Sequence, residues 1–114
     1  MKKISIISVF LLIPFLHISS FAQTNGLPKF KKSELYKSVR AKMLKAGWKP
    51  APSSNAFSCG EGDERCEDRP EMELCMTIRL STCTFRWKRK GKIVMIYSVG
   101  ETKNNIYDGY KFEK

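Results

Sequence analysis

Cys59, Cys66, Cys75 and Cys83 all lie downstream of an export-signal pattern, and this constrains the fold more than any other feature of the chain. Lys2 and Lys3 open the sequence. Ile4 to Ile18 is apolar except for Ser5, Ser8, Pro14 and His17, and Ser20-Phe21-Ala22 sets small residues at the −3 and −1 positions of a cleavage site. That order is the n-region, h-region and cut of a secretory signal peptide. Export carries cysteines into an oxidising compartment, where they persist as disulfides. Removing residues 1–22 from 114 leaves 92. A chain of that length gives one domain with a modest core, so two staples of roughly 2–4 kcal/mol each carry weight. The apolar run is too short and too near the start for a membrane anchor, and no cysteine stands beside the cut for lipid attachment. The expected organisation is a signal peptide over 1–22, a flexible arm over 23–32 and a single α+β domain over 33–114. The expected location is the periplasm or the medium, with no membrane span after processing.

The chain carries 21 Lys and Arg against 11 Asp and Glu, a net charge of +10. Without Lys2 and Lys3 the balance is 19 against 11, or +8. Between Cys59 and Glu73 lie Glu61, Asp63, Glu64, Glu67, Asp68, Glu71 and Glu73, opposed only by Arg65 and Arg69. That segment is therefore −5 and the rest of the mature chain +13. A basic body with one acidic loop can draw anionic partners to the body. It can equally pair loop and body within one molecule.

Ser33 to Ala46 predicts a helix. Ser33 can cap it and Glu34 complements its dipole. Leu35, Val39 and Met43, with Tyr36 and Leu44 beside them, form an apolar stripe; Lys37, Lys42 and Lys45 lie opposite, with Arg40 at the border. Gly47 fits the residue past the end, Pro50 prevents resumption, and Trp48 folds back onto the helix end. Ala51 to Pro70 reads as loop, with Asp68-Arg69-Pro70-Glu71 at a capping-box spacing that can start a short helical turn. Met72, Leu74, Met76, Ile78 and Leu80 alternate with more polar residues, which predicts a strand from about Glu73 to Leu80. Cys83 to Arg89 and Lys92 to Val99 then flank Lys90-Gly91 as a hairpin. With that turn Arg89 faces Lys92, Trp87 faces Val94 and Phe85 faces Ile96. Phe85, Trp87, Val94 and Ile96 make a core face, with Thr84, Arg86, Lys88, Ile93, Met95 and Tyr97 behind it. Gly100 to Asn105 reads as a turn, and Ile106 to Phe112 as a last strand softened at Gly109. The expected fold class is α+β: one N-terminal helix packed on a three- to four-stranded antiparallel β-meander, disulfide-stapled.

His17, the one histidine, falls in the signal segment. The mature chain thus lacks the commonest general base and the commonest neutral metal ligand, which excludes Ser-His-Asp, Cys-His and histidine-dependent ribonuclease chemistry. The cysteine spacings are seven, nine and eight, without a C-x-x-C, which argues against a thioredoxin-like site or a zinc ribbon. Cys59–Cys66 and Cys75–Cys83 are the favoured pairs: the first closes the acidic loop, and the second ties the preceding strand to the start of the hairpin. The nested pairing Cys59–Cys83 with Cys66–Cys75 stays open as the alternative. Glu61-Gly62-Asp63-Glu64 lacks EF-hand spacing, and no two carboxylates are marked as fixed across a cleft; no metal or other cofactor is expected. Arg86, Lys88, Arg89, Lys90 and Lys92 cluster at the hairpin tip. The hairpin pairing turns Phe85 and Trp87 inward, which argues against stacking on nucleic acid.

From Tyr36 onward, "YKSVRAKMLKAGWKP", "CGEGDERC", "RPEMELC" and "CTFRWKRKGK" resemble small exported four-cysteine proteins of Gram-negative bacteria. The resemblance implies a compartment and a fold rather than an activity. Helix followed by meander is also similar to small periplasmic α+β binding modules, including protease- and lactamase-inhibitor-like domains, an architectural likeness. The expectation is a non-enzymatic protein-binding domain of inhibitor or immunity type, which occludes another envelope protein through Glu61, Asp63, Glu64, Arg86, Lys88 and Lys90. Two alternatives stand beside it. One is electrostatic binding of an anionic envelope polymer, lipopolysaccharide or cell wall, by the basic body. The other is an enzyme that works with carboxylates alone.

Overall fold

The computed structural model describes residues 26–78 and 80–114; the expected signal peptide over 1–22, the start of the expected arm at 23–25, and Arg79 in the expected strand to Leu80 lie outside the described residues. Among the described residues no helix is long and apolar enough to cross a membrane. The centre of the fold is the hairpin of β3 (Thr82–Arg89) and β4 (Lys92–Val99). Its register is Arg89 to Lys92, Trp87 to Val94 and Phe85 to Ile96. Lys90 and Gly91 both have positive φ, 47° and 75°, the mirror-image two-residue turn whose twist matches that of the flanking strands. Phe85, Trp87, Val94 and Ile96 are fully buried, and burial of each such side chain contributes about 1.5–3 kcal/mol.

On the far side of β4 runs β5 (Ile106–Phe112), antiparallel. Ile96 pairs with Tyr110 and Ser98 with Tyr107, so Asp108 and Gly109 together stand opposite Tyr97. This is a bulge, which bends the edge strand. The other edge of β3 is shared end to end. β1 (Lys49–Pro50) pairs with Lys88 and Trp87, and β2 (Met72–Cys75) pairs with Phe85, Thr84 and Cys83. The hand-over falls at Arg86, whose carbonyl accepts from the Ala51 N–H and whose own N–H donates to the Glu71 carbonyl. The sheet therefore has five strands, not three to four. The additional one arises because β2 is too short to cover β3, and the chain just past the helix fills the rest.

β2 stops at Cys75, where a strand to Leu80 is expected from alternation. Met76, Ile78 and Leu80 are 46%, 69% and 71% exposed. Alternation held β2 only as far as Cys75, which pairs with Cys83 across the ladder; the chain must then turn.

The helix α1 (Tyr36–Lys45) covers the apolar face of the sheet with Tyr36, Val39 and Met43, all fully buried. The Tyr36 ring stacks on Phe85 at 3.8 Å. It starts three residues later than the sequence pattern predicts. Ser33 sits at φ 61°, and Leu35 is the N-cap without a side-chain cap. The cause is a short ladder to β5: the Tyr36 N–H donates to the Asn105 carbonyl, and the Tyr107 N–H donates to the Glu34 carbonyl. Those bonds flank a bridge between Leu35 and Ile106 and hold Leu35 extended, at ψ 135°, and Leu35 and Leu44 stay exposed, outside the core stripe. The C-terminus follows the pattern. Gly47, at φ 89°, lets its own N–H reach the Leu44 carbonyl and the Trp48 N–H reach Met43, a Schellman ending. Trp48 is buried, and its indole N–H donates to the Gly26 carbonyl. The described part of the arm lies on this same core, with Leu27 buried and Phe30 5.0 Å from the Tyr107 ring. Asp68-Arg69-Pro70-Glu71 forms no helix; it runs as turns and buries Glu71.

Candidate functional site

Disulfides join Cys59 to Cys66 and Cys75 to Cys83. The two bonds are neighbours: the Cys66 and Cys75 sulfurs and an Asp63 carboxylate oxygen all lie within 4.8 Å of one another. Both sulfurs are in disulfides and carry no thiolate charge, and Asp63 is already matched by a cation. Arg65, buried to 5% side-chain exposure, donates to Asp63 Oδ1 at 2.9 Å and Oδ2 at 2.7 Å. Its third donor, Nη1, reaches the Met76 carbonyl at 2.7 Å. One guanidinium thus ties the acidic loop to the β2–β3 loop. The side-chain hydrogen bonds from Arg65 hold the Asp63 carboxyl below its ordinary 3.8 against the opposing pull of burial.

The base of the β2–β3 loop is fixed by the Met76 N–H on the Thr82 carbonyl and the Gly100 N–H on the Ser81 carbonyl. Beyond that base Met76, Ile78 and Leu80 project into solvent. Beside them lies a shallow hollow of about 360 Å³, lined by Glu61, Asp63, Arg65, Thr77, Ser81 and Glu101. Glu61, Glu64 and Glu101 are exposed. A doubly stapled end therefore presents large apolar side chains next to carboxylates.

The hairpin-tip residues expected to share this site are elsewhere. Lys88 pairs with Lys49 at the Arg89 end of β3, whereas Cys83 pairs with Cys75 at the other. Five residue steps along β3, from Cys83 to Lys88, separate the two pairs by about 17 Å. Glu61, Asp63 and Glu64 thus form one group, and Lys88 and Lys90 another. Arg86 belongs to neither: its guanidinium is held by Glu113 at 3.0 Å and by the Ala51 carbonyl at 2.8 Å. The acidic loop and the basic hairpin tip do not meet.

Beneath the site runs a buried polar network. Glu71, with no exposed surface, accepts from Arg40 Nε at 2.6 Å and from the Tyr36 hydroxyl at 3.0 Å. The Trp87 indole N–H donates to the same Tyr36 oxygen. Burial, reinforced by the Glu71 charge, raises the Tyr36 pKa well above 10. The Arg69 guanidinium stands 5.0 Å from the centre of the Tyr36 ring. It donates to the Arg65 carbonyl and Asn105 Oδ1, and Asn105 in turn donates to the Ser98 hydroxyl. Desolvation lowers the Arg69 pKa. This chain of bonds links the acidic loop to α1, to β3 and β4, and to the β4–β5 turn. It fixes where the stapled loops sit.

Met76, Ile78, Leu80 and Glu101 belong to this candidate surface, and the sequence pattern hides them. Alternation assigns the first three to a core strand, and Glu101 sits in an ordinary turn. The signal that could expose the three is the Cys75–Cys83 staple, since a ring that closes over eight positions must carry a turn. The chain matches no family model, no curated protein and no solved structure.

Proposed function

We propose that the chain is an exported, non-enzymatic protein-binding module of the inhibitor or immunity type. Its doubly stapled end occludes a partner protein, with Ile78 and Leu80 as anchors and Glu61, Glu64 and Glu101 as rim. The observation that carries this reading is the exposure of Ile78 and Leu80, 69% and 71%, on a loop fixed at its base. Large apolar side chains on a loop whose two ends are tied by a disulfide and backbone bonds bind at a lower entropic cost than the same side chains on an open segment. Such anchors at the centre of a patch, ringed by polar groups, are the usual energetic centre of a protein interface. The carboxylate rim suits a partner with an apolar recess bordered by Lys or Arg. The lack of a histidine in the mature chain and the engagement of Glu71 by Arg40 and Tyr36 leave little for acid–base catalysis.

The test is the double substitution Ile78→Asp and Leu80→Asp. Both sites are exposed, so the thermal midpoint should stay within a few degrees. Retention of a partner protein should fall at least a hundredfold. Unchanged retention by a folded variant would show that the stapled end is not the binding surface.

A further inference from the structure

At the opposite end of the sheet the chain concentrates like charges that its own fold does not neutralise. Lys49 on β1 is the direct cross-strand partner of Lys88 on β3. Their neighbours in the ladder, Pro50 and Trp87, are also paired, and Trp87 faces the core. The two lysines therefore leave the sheet together on its outer face. Like charges placed directly opposite are destabilising. Lys90 adds a third at the turn, at φ 47°, a position that Asn or Gly fills more cheaply than any longer side chain. Among the described residues none of Lys49, Lys88 and Lys90 forms an ion pair. Protection of a sheet edge explains a lysine on β1, but Lys88 is on a strand paired along both edges. The helix end does not offset them either, since Arg89 Nε already takes the Ala46 carbonyl at 3.0 Å.

These three lysines rim a hollow of about 560 Å³ between the end of α1 and the hairpin tip, with Gly47, Pro50 and Ala51 among its lining. We infer that this hollow is a binding site for a phosphate-bearing ligand, with Lys49, Lys88 and Lys90 as its cations. The repulsion retained in the unbound protein is relieved when the anion binds. Lysine suits this task as a compact point charge without a fixed bidentate geometry. The ligand chemistry is the same whether the phosphate is free in solution or belongs to a lipid headgroup. The site lies far from the stapled loops, so it stands or falls independently of the proposed protein-binding role.

The disulfide-bonded protein should be titrated with inorganic pyrophosphate by calorimetry. In parallel it should be sedimented with phosphatidylcholine vesicles with and without phosphatidylglycerol. Saturable binding of pyrophosphate that weakens with salt supports the site with a soluble ligand. Sedimentation only with phosphatidylglycerol supports it with a headgroup. Lys49→Gln combined with Lys88→Gln should weaken either by roughly thirty-fold, as expected for two lysines at an anionic surface. In the absence of anion the same variant should melt higher than the parent, because the repulsive pair is gone. Pyrophosphate or anionic vesicles should raise the parent's thermal midpoint more than the variant's at the same concentration. Lys90→Gln, at the turn, gives a second variant with a smaller loss. Failure of both probes to bind at low salt would overturn the inference, as would equal affinity in parent and variants.

Discussion

Replacing Glu71 with glutamine removes one charge from a fully buried position at nearly constant volume. The carboxylate accepts from Arg40 Nε at 2.6 Å, from Arg40 Nη2 at 3.4 Å and from the Tyr36 hydroxyl at 3.0 Å. An amide can keep one oxygen toward Arg40 and Tyr36, but its NH₂ then points at another donor. Removing one member of a buried ion pair costs about 3–5 kcal/mol. Arg40 keeps 25% side-chain exposure and can recover some hydration, so the low end applies, about 3 kcal/mol. For a domain of this size each kcal/mol moves the thermal midpoint by about 4–8 °C, so the midpoint should fall by about 12–24 °C. The companion variants isolate the coupling. Arg40→Met alone should cost a similar amount, because it leaves the carboxylate buried. Arg40→Met with Glu71→Met should cost far less than the two single changes together, since an apolar replacement of a buried pair is often close to neutral. Differential scanning calorimetry at neutral pH reads all of these. A loss below about 1 kcal/mol in Glu71→Gln, or strict additivity in the cycle, would refute the argument that this network fixes the loops.

Three further outcomes follow from the same geometry. The Asp63 carboxyl is held below its ordinary 3.8, so the stability it contributes is complete above that value and is lost as pH falls through the lower folded one. Urea midpoints measured from pH 7 down to strongly acidic pH should show this loss in the parent and not in Asp63→Asn. For the Cys75–Cys83 bond, with a sequence separation of 8, the loop-entropy relation gives about 2.5 kcal/mol. Cys75→Ser with Cys83→Ser should lose that amount in equilibrium unfolding. Gly47→Ala forces a Cβ into φ 89° and should cost about 1–2 kcal/mol, read as a lower urea midpoint with an unchanged slope.

How much of this is legible from the residues depends on whether local rules act alone. The β3–β4 register is legible because a period of two and a two-residue turn leave one apolar face only, that of Phe85, Trp87, Val94 and Ile96. The end of α1 is legible because Gly47 and Trp48 complete the motif locally. Its start is not, because the extended conformation of Leu35 is set by the bonds of its neighbours to Asn105 and Tyr107, some seventy positions downstream. The strand expected to reach Leu80 fails for a reason present in the sequence. A straight run from Cys75 to Leu80 would have to be retraced, fully extended, by three residues to bring Cys83 alongside. Pairing and strand length cannot both hold, and the covalent bond wins. The acidic segment shows the opposite limit. Its carboxylates look alike in sequence, yet Glu71 is buried on Arg40, Asp63 is clamped by Arg65, and Glu61 and Glu64 face solvent. What separates Glu71 from the rest is its place at the seam where β1 gives way to β2 against Arg86, a tertiary fact that no local pattern carries.

In cells that make the protein natively, a photoreactive amino acid placed at one position at a time tests whether the doubly stapled end is the docking surface. Position 80 reports on the stapled loop and position 111 on the outer face of β5, well away from it. A discrete adduct with one other protein at position 80, absent at 111, is the predicted result. No adduct at position 80, or the same adduct at both positions, would contradict it.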